Sequence, residues 1–129
     1  MDKSDFSEKR EFPRANIISL VTIRCIVTVD NRNKEKREFH THTENLSENG
    51  INVILEEKLH CSDRIEVTLY LTGKLIPIKC QAQVIWSKLI SPEGVNPSLF
   101  STGIKLIGLN NDDRDDINKL VSCFIDENN

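Results

Sequence analysis

The stretch TENLSENGINV, residues 43–53, places three turn-forming residues in front of a strand-like run. Asn45 and Ser47 belong to types that hydrogen-bond their own backbone in turns, and Gly50 supplies a positive φ or a close backbone approach. Ile51 and Val53 then alternate with a polar residue, as in a half-buried strand. The stretch therefore predicts a turn leading into a strand. Taken alone, it is also compatible with a small ligand-binding loop.

On both sides of this stretch, apolar and polar residues alternate with the period of two that is typical of strands. The charged run DNRNKEKR, residues 30–37, predicts a solvated hairpin loop between two of them. About six short strands are predicted in all, at 17–29, 38–47, 50–55, 64–71, 75–86 and 99–109. In the fifth, one face is predicted to carry Ile78, Cys80, Ala82, Val84 and Trp86.

The pattern changes to a helical one near the C-terminus. Apolar residues recur there at intervals of three and four, which indicates one apolar stripe on a helix. Asn111 or Asp112 is the predicted N-cap. Six strands followed by one helix suggest a small antiparallel barrel or sandwich whose helix covers one opening. The stripe consists of Ile117, Leu120, Val121 and Phe124.

Bulk composition narrows the class of protein. The chain has 129 residues, which suits one domain and leaves no room for a separate output domain. There are 17 Lys and Arg against 20 Asp and Glu, a net charge of −3, so we expect no general nucleic-acid binding. The polar N-terminus lacks the apolar core of a secretory signal, and no run reaches the roughly 20 apolar residues of a membrane helix. We expect a cytoplasmic protein that does not insert into membranes.

The residue patterns of enzymes and metal sites are missing from the sequence. The four cysteines form no CxxC pair, and Cys25 and Cys80 lie in strand-like runs where buried thiols are expected. His40 and His42 share a strand face, but two ligands without a supporting carboxylate or Cys are too few for a metal site. Neither a G-x-S-x-G nor an H-E-x-x-H motif occurs. We therefore expect neither catalysis nor a bound metal.

The N-terminal residues 1–16 lack periodicity and are predicted to form a flexible arm. Arg10 and Arg14 lie four apart in this arm, and Pro13 between them disfavours a helix. A guanidinium group binds phosphate through two hydrogen bonds, reads guanine O6 and N7, and stacks on flat bases. Two such groups on an arm are suited to phosphate or to a purine edge. Two solvated arginines are the simpler alternative.

The order R-x-x-x-R, then N-x-S-x-x-G about thirty residues later, then a strand, resembles the PilZ domain family. AQVIWS and TGIKLIGL look like the later strands of that family, so the resemblance covers nearly the whole chain. It implies a six-stranded antiparallel β-barrel with a C-terminal α-helix over residues 17–129, and binding of the bacterial second messenger cyclic di-GMP. The residues implied as ligand-binding are Arg10, Arg14, Asn45, Ser47 and Gly50.

The resemblance thus implies a non-enzymatic cyclic di-GMP receptor that acts through an unidentified effector protein. One alternative is a PilZ-like protein-interaction adaptor that binds no nucleotide. Another is a small barrel that binds single-stranded nucleic acid, for which Trp86, Tyr70 and five Phe are the available stacking residues. The negative net charge makes this second alternative the weaker one.

Overall fold

A computed structural model of the chain describes residues 15–28, 33–60 and 64–128. It contains six strands and one C-terminal helix. Their bounds are β1 Leu20–Thr28, β2 Lys34–Leu46, β3 Gly50–Leu55, β4 Arg64–Tyr70, β5 Ile78–Leu89, β6 Phe100–Ile107 and α1 Asn111–Asn128.

The six strands form one closed antiparallel barrel in the order β1-β2-β3-β6-β5-β4. Two pairings close it between strands that are distant in the sequence, β1 with β4 and β3 with β6. Closure leaves the sheet without a free edge. The predicted six-stranded antiparallel barrel with a C-terminal helix is confirmed.

Alternate residues of each strand fill the barrel. In β3, Ile51, Val53 and Leu55 are buried, while the residues between them are half-buried on the outer face. Each fully buried Val, Leu or Ile side chain contributes roughly 1.5–3 kcal/mol through the hydrophobic effect. The outer face is therefore the part of the barrel that is available for polar contacts.

Strand β2 begins earlier than the sequence predicted. Lys34 to Arg37, which were assigned to the hairpin loop, continue the ladder, with Lys34 opposite Thr28. The prediction was wrong because backbone pairing needs no apolar side chains where a strand extends into solvent. Arg37 also gains a partner here, since its Nη1 lies 2.8 Å from Glu57 Oε1.

A β-bulge in β5 turns Trp86 away from the core. Val84 lies opposite Ile104 and Trp86 lies opposite Gly103, so Ile85 is an extra residue. The prediction that Trp86 shares the face of Val84 was therefore wrong, because one inserted residue moves all later side chains of a strand to the other face. Trp86 is 40 % exposed on the outside of the barrel.

Helix α1 packs across one end of the barrel through the predicted apolar stripe. Ile117 and Val121 are buried in the core. The backbone N–H of Asp113 donates to Asn110 Oδ1 at 2.8 Å, so Asn110 is the N-cap and not Asn111 or Asp112. The helix begins one residue after its cap, and the predicted cap positions were wrong by one and two residues. In the described parts of the chain, no helix is both long and apolar enough to cross a membrane.

The buried cysteines are confirmed where the structure describes them. Cys25 and Cys80 are buried in the barrel, whereas Cys123 is exposed on α1. Burial raises the pKa of the Cys80 thiol to about 11, and the negative charge of Asp113 adds to this shift. Cys61 lies outside the described residues.

Cys80 and Cys123 should therefore differ strongly in reactivity. We expect iodoacetamide near pH 8 to label Cys123 in the folded protein within minutes and to spare Cys80, because the thiolate is the reactive form. Site-resolved mass spectrometry of the digested protein measures both. In guanidinium chloride the two sites should label alike. Equal labelling of the folded protein would contradict the burial of Cys80.

Candidate functional site

The turn predicted at residues 47–50 joins β2 to β3. Ser47 and Gly50 exchange two backbone hydrogen bonds, at 3.0 and 3.3 Å. Ser47 Oγ accepts from the backbone N–H groups of Asn49 and Gly50, at 3.2 and 3.3 Å. Ser47 is only 1 % exposed. Its hydroxyl therefore holds the turn in shape.

Gly50 is required by a close approach between two strands. A Cβ atom at this position would lie 2.4 Å from the carbonyl oxygen of Ile104 in β6. The φ of Gly50 lies outside the left-handed region, so the alternative reason for a glycine, a positive φ, does not apply. The N–H of Leu106 also donates to the Asn49 carbonyl at 3.0 Å. The turn is thus fastened directly to β6.

Asn45 is placed on the outer face by a second bulge. Thr43 lies opposite Val53 and Asn45 lies opposite Asn52, so Glu44 is the extra residue in β2. Asn45 is half-buried. Its side chain makes no hydrogen bond to any residue that the structure describes. It is therefore available to a ligand on this face.

The segment before β1 enters the barrel beside this turn. Ala15 and Leu46 exchange two backbone hydrogen bonds, at 3.2 and 3.0 Å. Ala15 itself is buried in the core. Arg10 and Arg14 lie outside the described residues. Ala15, which follows Arg14 in the sequence, is nevertheless hydrogen-bonded to Leu46, the residue between Asn45 and Ser47.

An outer-face cavity of about 240 Å³ adjoins the turn. The strand register builds it, because Gly50 lies opposite Lys105 and Asn52 lies opposite Gly103. Trp86 completes the same row from β5. Its lining includes Asn49, Gly50, Asn52, Trp86, Gly103 and Lys105.

Trp86 rests on Gly103 in this cavity. A Cβ atom at Gly103 would lie 2.3 Å from Nε1 and 2.4 Å from Cε2 of the indole. The missing side chain at Gly103 therefore leaves the space that the ring occupies. The sequence predicted Trp86 on the strand face of Val84 and gave it a binding role only in the alternative of a nucleic-acid binder. It gave no sign of Asn52 or Lys105.

Glu48, at the tip of the turn, contacts the helix. Its carboxylate accepts a hydrogen bond from Asn118 Nδ2 and lies 3.9 Å from Arg114 Nη1. The carboxylate is mostly buried, with a side-chain exposure of 14 %. The turn is thus anchored to α1 as well as to β6.

Other groups on the barrel are less suited to an anionic ligand. Arg24, which lines another cavity of about 620 Å³, is already paired with Glu38 at 2.7 Å and Glu66 at 3.8 Å. His40 and His42 are exposed, as predicted for a solvated strand face. The described residues contain no cluster of three or more metal-ligating side chains.

Comparison with known families decides the classification. The profile of the PilZ domain matches residues 8–123, which is most of the chain. The chain belongs to the PilZ family. As a PilZ domain it has both motif positions within the matched range, from Arg10 to Gly50. No curated protein matches it significantly.

Solved structures share this PilZ fold at low sequence identity. The PilZ domain of Escherichia coli YcgR, solved with c-di-GMP, is 14 % identical with a TM-score of 0.61, over 92 % of this chain and 93 % of that one. Bacillus subtilis MotI/DgrA, an inhibitor of motility, is 14 % identical with a TM-score of 0.63, over 88 % and 49 %. The K. pneumonia MrkH–c-di-GMP complex is 17 % identical with a TM-score of 0.65, over 92 % and 53 %. The chain thus spans about half the length of MotI and MrkH.

The contact between Gly103 and Trp86 predicts a coupled pair of substitutions. We expect Gly103→Ala to lower the free energy of unfolding by about 1–3 kcal/mol, because the new methyl group collides with the indole. In a Trp86→Ala background the same change should cost much less, since the ring is gone. Urea denaturation of the two single variants and the double variant measures this coupling. Additive effects would contradict the packing.

Gly50 is the matched control, because a methyl group there would collide with backbone atoms that no substitution of Trp86 removes. We expect Gly50→Ala to cost about 1–3 kcal/mol in both the wild-type and the Trp86→Ala backgrounds, because the methyl group would collide with backbone. The same urea experiment tests it. An unchanged midpoint for Gly50→Ala would show that β3 and β6 are not so close.

Proposed function

We propose that this PilZ domain is a non-enzymatic receptor for cyclic di-GMP. The observation that carries the proposal is the Ala15–Leu46 pair. It holds Ala15, the residue that follows the R-x-x-x-R motif in the sequence, beside the N-x-S-x-x-G turn, although the two motifs are about thirty residues apart. The YcgR and MrkH structures with c-di-GMP support the same ligand.

The chemistry of the ligand matches the residue types of both motifs. Cyclic di-GMP carries two phosphate charges and two flat guanine bases. In the proposed complex, Arg10 and Arg14 bind phosphate and guanine groups through their planar forks. Asn45 hydrogen-bonds the ligand from the barrel. Ser47 and Gly50 shape the turn, so that its backbone comes close to the ligand.

The proposed output is a change in the N-terminal segment. A ligand that binds the two arginines and the turn together joins residues 1–14 to the barrel. The joined surface differs from the ligand-free one, and a protein partner in the cytoplasm reads this difference. Ordering a segment costs free energy, so the apparent affinity is lower than the contacts alone would give.

A second candidate is a PilZ-like adaptor that contacts proteins without a nucleotide. The observation in its favour is the connection between β4 and β5. Leu75 is fully exposed there and Ile76 is 74 % exposed, beside α1. Exposed apolar groups of this size are found at protein contacts. This candidate predicts partner binding that is independent of cyclic di-GMP.

Calorimetric titration with cyclic di-GMP tests the receptor proposal. We expect wild-type protein to bind and Arg14→Ala to lose roughly 1.5–3 kcal/mol of binding free energy, as for a hydrogen bond to a charged group. Arg24→Ala, which removes the same charge from the opposite side of the barrel, should bind normally. A short single-stranded oligonucleotide should give no heat. Equal binding by Arg14→Ala and wild type would refute the role of Arg14.

Hydrogen exchange tests the proposed change in the N-terminal segment. We expect amides of residues 7–14 to exchange quickly in the free protein and to become protected with saturating cyclic di-GMP. Amides of residues 78–85, inside β5, should change little and serve as the internal control. Protection of the segment before ligand is added, or none afterwards, would exclude this change even if the ligand binds.

A further inference from the structure

We propose that Asn52 and Lys105 are specificity-determining residues that select guanine over adenine in the cavity beside the turn. This inference rests on the proposed cyclic di-GMP function and extends it to two residues outside both motifs. The size of the cavity, about 240 Å³, supports it. Pockets for whole drug-sized ligands measure about 300–1,000 Å³, so this one suits a single base.

The orientation of the Asn52 amide is set by a hydrogen bond from β6. Ser101 Oγ donates a hydrogen bond to Asn52 Oδ1 at 3.3 Å. This hydrogen bond occupies one of the two lone pairs of the oxygen and holds the oxygen toward Ser101, so the NH₂ group is the half of the amide without a partner among the described residues. An asparagine normally recognises adenine by accepting from N6 and donating to N7. In Asn52 the acceptor half of that pair is held toward Ser101.

Lys105 adds a second donor to the same cavity. It lies opposite Gly50 on the outer face, between the buried Ile104 and Leu106. A lysine ammonium can only donate hydrogen bonds. Among the residues that the structure describes, no carboxylate forms an ion pair with it. Its charge is thus not neutralised within the described barrel.

The donors of Asn52 and Lys105, together with the Trp86 indole, match the O6 and N7 edge of guanine. Guanine presents two acceptors, O6 and N7, on its exposed edge, whereas adenine presents an N6 donor next to N7. With the base against the Trp86 indole, the guanine acceptors meet the Asn52 NH₂ and the Lys105 ammonium. In that position the adenine N6 donor would face the donors of Asn52 and Lys105. The geometry therefore favours guanine.

Competing dinucleotides test this inference. Wild-type, Lys105→Gln and Ser101→Ala proteins are each titrated with cyclic di-GMP and with cyclic di-AMP. We expect Lys105→Gln to weaken cyclic di-GMP binding by about ten-fold or more, since a charged donor to the base is lost. Ser101→Ala releases Asn52 Oδ1 from β6, so that the amide can turn and accept from adenine N6. We expect this variant to reduce the ratio of the affinity for cyclic di-GMP to that for cyclic di-AMP by about ten-fold.

Lys79→Gln is the matched control, because Lys79 is an exposed β5 residue paired with β4, away from the cavity. Circular dichroism confirms that each variant is folded. The inference is overturned if Lys105→Gln binds like Lys79→Gln, or if Ser101→Ala leaves the preference unchanged. In those cases a weakened Arg14→Ala still supports the receptor proposal. Failure of folded wild-type protein to bind cyclic di-GMP overturns both.

Discussion

The close approach of β3 to β6 at Gly50 and Ile104 is the constraint on which the barrel and its candidate site both depend. A Cβ atom at Gly50 has no room beside the Ile104 carbonyl, so the glycine permits the strands to pair at this end. That pairing closes the barrel between strands that are about fifty residues apart. It also fixes the register that brings the turn beside the cavity.

The turn is held from several sides. Ser47 shapes it from within, the Asn49 carbonyl accepts from β6, and the Glu48 carboxylate contacts α1. Next to the turn, Leu46 at the end of β2 exchanges two backbone hydrogen bonds with Ala15. A turn with this many attachments has little conformational freedom left to lose if a ligand binds beside it.

The sequence correctly predicted the features that leave a local pattern of apolar and polar residues. Period-two alternation located the six strands, and the apolar stripe of α1 was identified residue by residue. The failures were local features without a composition signal: the early start of β2 at Lys34, the bulge at Ile85 that turns Trp86 outward, and the cap at Asn110. The PilZ resemblance supplied the choice of a barrel, and the structure confirmed it.

The candidate site was visible only in part for a related reason. Asn45, Ser47 and Gly50 are neighbours in the sequence, so their spacing could be recognised. Asn52, Trp86 and Lys105 come from three strands and meet only through the β3–β6 and β5–β6 registers. Each is ordinary in its own segment. Single-sequence patterns contain no information on such registers, which depend on how the barrel closes.

The ring of Trp86 lying in the space above Gly103 also constrains how this sequence can diverge. A side chain at position 103 is tolerated more readily once Trp86 has been replaced by a small residue. If position 103 changes first, the new side chain collides with the indole. Substitutions at the two positions are therefore coupled, although the positions lie seventeen apart in the sequence. Among descendants of this sequence, a bulky residue at 103 should be found together with a small one at 86.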